Sequence, residues 1–159
     1  MPNFAPVAPE TPVYGICRPG HLGGGLDDWA ATLDSAGVSS VLCLLSSAEA
    51  TRWGLPDAYA DRFETAHVPI RERHLPDEST LRSALGAIRD ADDAGETVAV
   101  HCNAGLGRTG VVAAAWLTQE CGYDPHEAVE TVREAGRAPR EAVRCGNATE
   151  AELLELLAP

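Results

Sequence analysis

The chain contains the run Thr97-Val98-Ala99-Val100-His101-Cys102-Asn103-Ala104-Gly105-Leu106-Gly107-Arg108-Thr109-Gly110. Once ionised, a cysteine is a strong nucleophile, and an arginine presents a planar fork of donors that can grip two oxygens of a phosphate at once. Between Cys102 and Arg108, the glycines at 105 and 107 let successive backbone amides turn inward and approach a ligand closely. Asn103, Ala104, Gly105, Leu106, Gly107 and Arg108 therefore read as a cradle for a tetrahedral oxyanion. Cys102 lies at its base, positioned to attack.

Two regular elements must hold such a loop. Thr97-Val98-Ala99-Val100 has the length and β-branched content of a buried strand, and Thr109 to Gln119 is long and apolar enough for a buried helix. A cradle that opens into a helix N-terminus gains unpaired N–H groups and the positive end of the helix dipole, which favour both an oxyanion and a thiolate.

His-Cys-x-x-Gly-x-x-Arg-Thr resembles the signature loop of the protein tyrosine phosphatase superfamily, and the version from His101 to Gly110 resembles its dual-specificity branch and small archaeal and bacterial relatives. The resemblance implies catalysis through a covalent phosphocysteine on Cys102, with no metal and no cofactor. It also implies roles for Arg108 in binding phosphate, Thr109 in stabilising the departing thiolate and His101 in holding the cradle. The loop has no lysine, unlike lipid-phosphatase relatives. Phosphotyrosine, and phosphoserine or phosphothreonine, in proteins or peptides are then the expected substrates.

The leaving oxygen needs a proton, so a carboxylic acid must reach the cradle from another loop. Relatives carry Pro-Ile-x-Asp-Gly-Gly-x-Pro; here Pro69-Ile70-Arg71-Glu72-Arg73-His74-Leu75-Pro76 stands in its place. Glu72 occupies the acid's position, one methylene longer, with Asp77 as rival and His74 as a third candidate. For the water-positioning glutamine of many relatives there is no clean match, Arg144, Asn147 and Glu150 lying nearest. Arg18 and Arg140 are candidates for the rim, and Cys43 is a candidate disulfide partner of Cys102 under oxidation.

Further along the chain, strands are expected at Val13–Cys17, Val38–Leu45 and Ala66–Ile70. Helices are expected after Asp27, after Ser46 or Ser47, over Asp57–Arg62, over Thr80–Ala94 capped by Ser79, after Asp124-Pro125, and over Ala148–Leu157. The alternation predicts a single α/β domain with a central, mostly parallel sheet flanked by helices, protein tyrosine phosphatase-like. Residues 1–12 form a Pro-rich segment expected to be extended or disordered, and 13–159 the phosphatase domain.

Of the 159 residues, 24 are Asp or Glu and 12 are arginine, with no lysine, giving a net charge of −12. That balance argues against a nucleic-acid partner and fits adaptation to high salt; a GC-rich genome would explain the missing lysines but not the acidity. The apolar run Val111–Leu117 is far short of the roughly 20 residues that span a bilayer, and the start resembles no signal peptide. No membrane partner and a cytoplasmic location are expected. Five cysteines without paired spacing fit a reducing compartment and no metal site. Two other functions fit the same loop: a phosphopeptide-binding module without turnover, and a phosphatase of a small metabolite. A rhodanese-type sulfurtransferase is disfavoured by Arg108-Thr109.

The negative net charge repels phosphorylated substrates at low ionic strength. Adding salt should therefore raise kcat/KM on a phosphopeptide, and a steady fall from low salt upward would contradict this.

Overall fold

The computed structural model describes residues 3–159. Its centre is a five-stranded sheet in the order β1-β2-β5-β3-β4. β2 (Val13–Ile16), β3 (Val38–Cys43), β4 (Glu64–His67) and β5 (Thr97–His101) run parallel, and the short edge strand β1 (Ala5–Pro6) pairs antiparallel with β2. In the described part of the Pro-rich start, β1 is followed by a turn in which Glu10 takes φ +57°. Val7 and Ala8 are buried and Phe4 stacks on Tyr14 with ring centroids 4.7 Å apart. Pro6 has no N–H, and the edge of the sheet is where that costs nothing.

Residue alternation along β3 and β5 separates two cores. Val98, Val100, Leu42 and Leu44 face α3 (Glu78–Asp93), α4 (Gly107–Glu120), α5 (Pro125–Glu134) and α7 (Glu150–Leu157). Ala99, Val41, Cys43 and Leu45 face α1 (Leu26–Ser35), α2 (Ser47–Trp53) and the aromatic group Trp29, Tyr59 and Phe63. Within the first layer α4 is central: every residue from Gly107 to Thr118 is buried, so it reads as apolar all round.

Several boundaries differ from the sequence-based expectation for identifiable reasons. α1 is preceded by Gly25 with no side-chain cap, and Asp27 lies inside its first turn, paired with Arg62. Asp77, not Ser79, caps α3, its carboxylate accepting the Thr80 N–H at 2.8 Å. β4 ends at His67, two residues before Pro69, after which only Val68 and Ile70 donate to the Cys43 and Leu44 carbonyls. The stretch after Pro56 is a single 3-10 turn, Asp57–Tyr59, and a short helix α6 (Glu141–Arg144) follows the loop at Arg137–Arg140.

The register brings the strand ends together. Ile16 and Cys43 both lie beside His101, so β2, β3 and β5 release their chains at one edge, where Cys102 begins the loop. Ile88 on α3 is fully buried against this layer. Ile88→Ala should lower the unfolding free energy by about 2–5 kcal/mol, measured by denaturant titration.

Candidate active site

The loop from Cys102 to Leu106 carries five carbonyl groups, and each is bonded on the side away from the cradle. His101 Nδ1 donates to the Cys102 carbonyl (3.0 Å), the Arg18 amide to Asn103 (3.0 Å), and Asn3 Nδ2 to Ala104 (2.8 Å). Arg137 Nη1 donates to Gly105 (2.6 Å), and the Ala138 and Gly110 amides donate to Leu106. The N–H groups of Asn103 to Gly107 have no partner among the described residues. Because peptide planes are rigid, pinning every carbonyl outward turns the amides inward. Gly105 makes this possible at φ +75°, where an added Cβ would lie 2.6 Å from the Cys17 nitrogen.

Arg137 and Asn3 are the supports on the outer side. The Arg137 guanidinium also donates to the Asn3 carbonyl, and it lies so close to Gly15 that a Cβ there would sit 2.9 Å from its Cζ. Asn3 Oδ1 accepts the Cys17 N–H at 2.7 Å. Arg18 Nε donates to Asn103 Oδ1 (2.8 Å) while its guanidinium lies 3.8 Å from the Trp53 ring centroid, which holds it beside the loop. Arg140 instead pairs with Glu130 and Glu150.

Arg108 is nearly fully buried. Its Nη1 donates to Glu49 Oε1 (2.6 Å) and to the Ile70 carbonyl (2.9 Å), and Nη2 to Glu49 Oε2 (3.1 Å). A guanidinium has five N–H bonds, so Nε and one Nη2 hydrogen remain, forming the two-pronged edge that matches two phosphate oxygens. Burial pulls the Arg108 pKa down, but the Glu49 bonds and the charges of Cys102, Glu49 and Glu72 outweigh it. Burial likewise raises the Glu49 carboxyl and Arg108 more than reverses this, leaving it below the ordinary range.

Beneath the loop, Thr109 Oγ1 donates to Cys102 Sγ at 3.2 Å. Burial pushes the fully enclosed His101 down to about 4, so the imidazole is neutral. The Cys102 carbonyl can only accept, which places the ring proton on Nδ1; Nε2 then accepts from the Tyr59 hydroxyl at 2.6 Å. Burial, and then Cys43, raise the Tyr59 pKa, so it stays a donor. Cys43 belongs to this aromatic face while Cys102 packs in the helical layer, and both are free, buried cysteines.

A family profile described as "Tc-R-P: Polymorphic toxin system, DSP-PTPase phosphatase" matches residues 14–121. The chain belongs to this family. The mouse "Dual specificity protein phosphatase 1" is 25% identical over 103 residues, 64% of this chain and 26% of that protein. The yeast "Tyrosine-protein phosphatase CDC14" is 38% identical over 58 residues, 36% of this chain and 10% of that protein. The chain thus spans about a quarter or less of the length of these curated relatives. Among solved structures, "Tk-PTP in the active form" has a TM-score of 0.72 at 26% identity, covering 98% of each chain. Human DUSP28 has a TM-score of 0.71 at 18% identity, covering 98% of this chain and 93% of that one, and shows the shared fold.

In this DSP-PTPase domain the sequence-predicted residues divide. His101, Cys102, the loop to Arg108, and Thr109 come together. Glu72 lies on the loop after Ile70, its side chain 39% exposed and its charge felt by Arg108. Asp77 is fully exposed as the α3 cap, its carboxyl held low by the Thr80 bonds. His74 Nδ1 bonds the Glu72 carbonyl at 2.9 Å and so shapes that loop. Sequence reasoning missed Glu49, Tyr59, Arg137 and Asn3. Only Glu49 had a local signal, the Ser46-x-x-Glu49 capping box that starts α2.

The His101 environment makes stability pH-dependent. The folded-state value of about 4 lies below the ordinary 6.5, so the unfolded chain binds the proton first and stability falls as pH drops from about 6.5 to about 4. The full effect is about 3 kcal/mol. Denaturant midpoints measured between about pH 7 and about pH 4 should show this slope, and His101→Asn should flatten it.

Proposed function

We propose that this domain is a phosphatase that hydrolyses phosphotyrosine, phosphoserine and phosphothreonine in proteins or peptides through a phosphocysteine, without a metal. The observation that carries the reading is the set of unbonded loop amides around Cys102, completed by the free edge of the Arg108 guanidinium. The amides and that edge hold the three non-bridging oxygens of the phosphoryl group. This stabilises charge where it develops in the transition state.

Cys102 attacks phosphorus as the thiolate, and the oxygen–phosphorus bond to the leaving group breaks in line. Glu72 protonates the departing oxygen. Glu72 is preferred to Asp77 because Asp77 is committed to the Thr80 N–H as the cap of α3, while the charge of Glu72 reaches Arg108. In the second step water displaces the sulfur, and the Thr109 hydroxyl bond supports the returning thiolate. A free thiol is needed at every cycle, which is why the domain is assigned to the reducing cytoplasm.

Wild type should turn over phenyl phosphate and a phosphotyrosyl peptide in the presence of a chelator, and Cys102→Ser should abolish it. Glu72→Gln should lower kcat on an alkyl phosphate by about 10²–10⁴-fold. Asp77→Asn should leave kcat nearly unchanged while weakening the start of α3. Loss of kcat in Asp77→Asn with Glu72→Gln unaffected would reverse the assignment, and peptide binding without turnover in wild type would favour a binding module.

A further inference from the structure

Glu72 can give its proton only if the loop that carries it is held within reach of the leaving oxygen, so what fastens that loop matters. Every carbonyl from Ile70 to Arg73 is bonded. Arg108 Nη1 donates to Ile70 at 2.9 Å, the His74 N–H to Arg71 at 3.2 Å, and His74 Nδ1 to Glu72 at 2.9 Å. These donors belong to the site or to the loop itself. The fourth does not: Asn147 Nδ2, from the link between α6 and α7, donates to the Arg73 carbonyl at 2.9 Å.

Arg73 is the residue in that loop that needs holding. Its φ is +63°, in the left-handed region where a side chain crowds the backbone and glycine is at ease. Its own side chain does little to fix it there, being 61% exposed with Nη2 3.9 Å from Glu72 Oε1. Such strain persists only where the surroundings impose it. Asn147 is placed to do so. Its N–H donates to the Ala142 carbonyl at 2.9 Å, closing α6, and two residues later Thr149 starts α7 with a reciprocal capping box. Ala142 is buried, as are Leu153 and Leu157 of α7. The Asn147 side chain is therefore a strut from the packed helices to the strained peptide. Its neighbours are turned elsewhere, Arg144 being exposed and Glu150 paired with Arg140.

We propose that Asn147 is a positioning residue for the proton donor: by holding the Arg73 carbonyl it keeps Arg73 in the left-handed region, and the loop so shaped presents Glu72 to the leaving oxygen. This rests on the assignment of Glu72 as the acid. Asn147 touches neither the substrate nor the reacting atoms, and acts through one backbone carbonyl. Without its bond Arg73 relaxes toward negative φ, the peptide that follows Glu72 turns, and the carboxyl moves out of line.

A loss of this kind depends on the leaving group and on the residue at position 73, which a general loosening of the fold would not. kcat/KM is measured with phenyl phosphate, whose phenoxide needs a proton to depart, and with p-nitrophenyl phosphate, whose nitrophenolate needs little help. Two variants are compared: Asn147→Ala, and Asn147→Asp, which keeps the shape and loses the donor. Both should lower kcat/KM on phenyl phosphate by about 10-fold and on p-nitrophenyl phosphate by less than about 2-fold. In an Arg73→Gly background the left-handed conformation is free of strain, and adding Asn147→Ala should then change kcat/KM on phenyl phosphate by less than about 2-fold. Equal losses on both substrates, no loss on phenyl phosphate, or an undiminished loss in the Arg73→Gly background would overturn the proposal. Glu72→Gln, measured on the same pair, tests the acid separately. If it does not lower phenyl phosphate turnover selectively, the acid assignment fails before any change at Asn147, and the role given to Asn147 falls with it.

Discussion

The site depends on where the loop carbonyls go. A backbone curled around an anion must turn its donors inward, and a peptide unit can do so only if its acceptor finds a partner on the other side. Here the partners are six residues: Asn3, Arg18, His101, Gly110, Arg137 and Ala138. The cradle is therefore rigid before any ligand arrives. Preorganised donors of this kind need no reorganisation at the moment of reaction.

The charge balance is arranged around the same loop. Arg108 is a buried cation, and leaving it unpaired would be costly, yet pairing it fully would leave no edge turned to the cradle. Glu49 resolves this by taking one face of the guanidinium while Ile70 takes another hydrogen, and the remaining edge stays free. Glu49 also closes the α2 capping box by accepting the Ser46 N–H at 2.9 Å, so the helix start fixes the carboxylate that fixes the arginine. His101 does the corresponding work on the backbone side. Held neutral by burial, it carries a directional chain from the Tyr59 hydroxyl to the Cys102 carbonyl.

Much of this was readable from residue order where the cause is local. The strand Thr97–His101, the glycines of the loop, Arg108 and the buried helix behind it share one short stretch, and Asp124-Pro125 starts α5 as expected. The supports were not readable because they are distant: Asn3 and Arg137 lie 101 and 32 residues from the carbonyls they hold. Asp77 misled for the opposite reason. An aspartate shortly after a proline suits both an acid loop and a helix cap, and only the placement of α3 shows that the cap took it.

Asn3 ties the chain's first described residue to the reaction chemistry. Its amide bridges the Ala104 carbonyl and the Cys17 N–H, while the hydrophobic layers are closed without it. Replacing Asn3 would thus loosen the cradle's outer wall while leaving both hydrophobic layers closed, so the shape of the loop and the stability of the fold are separable there.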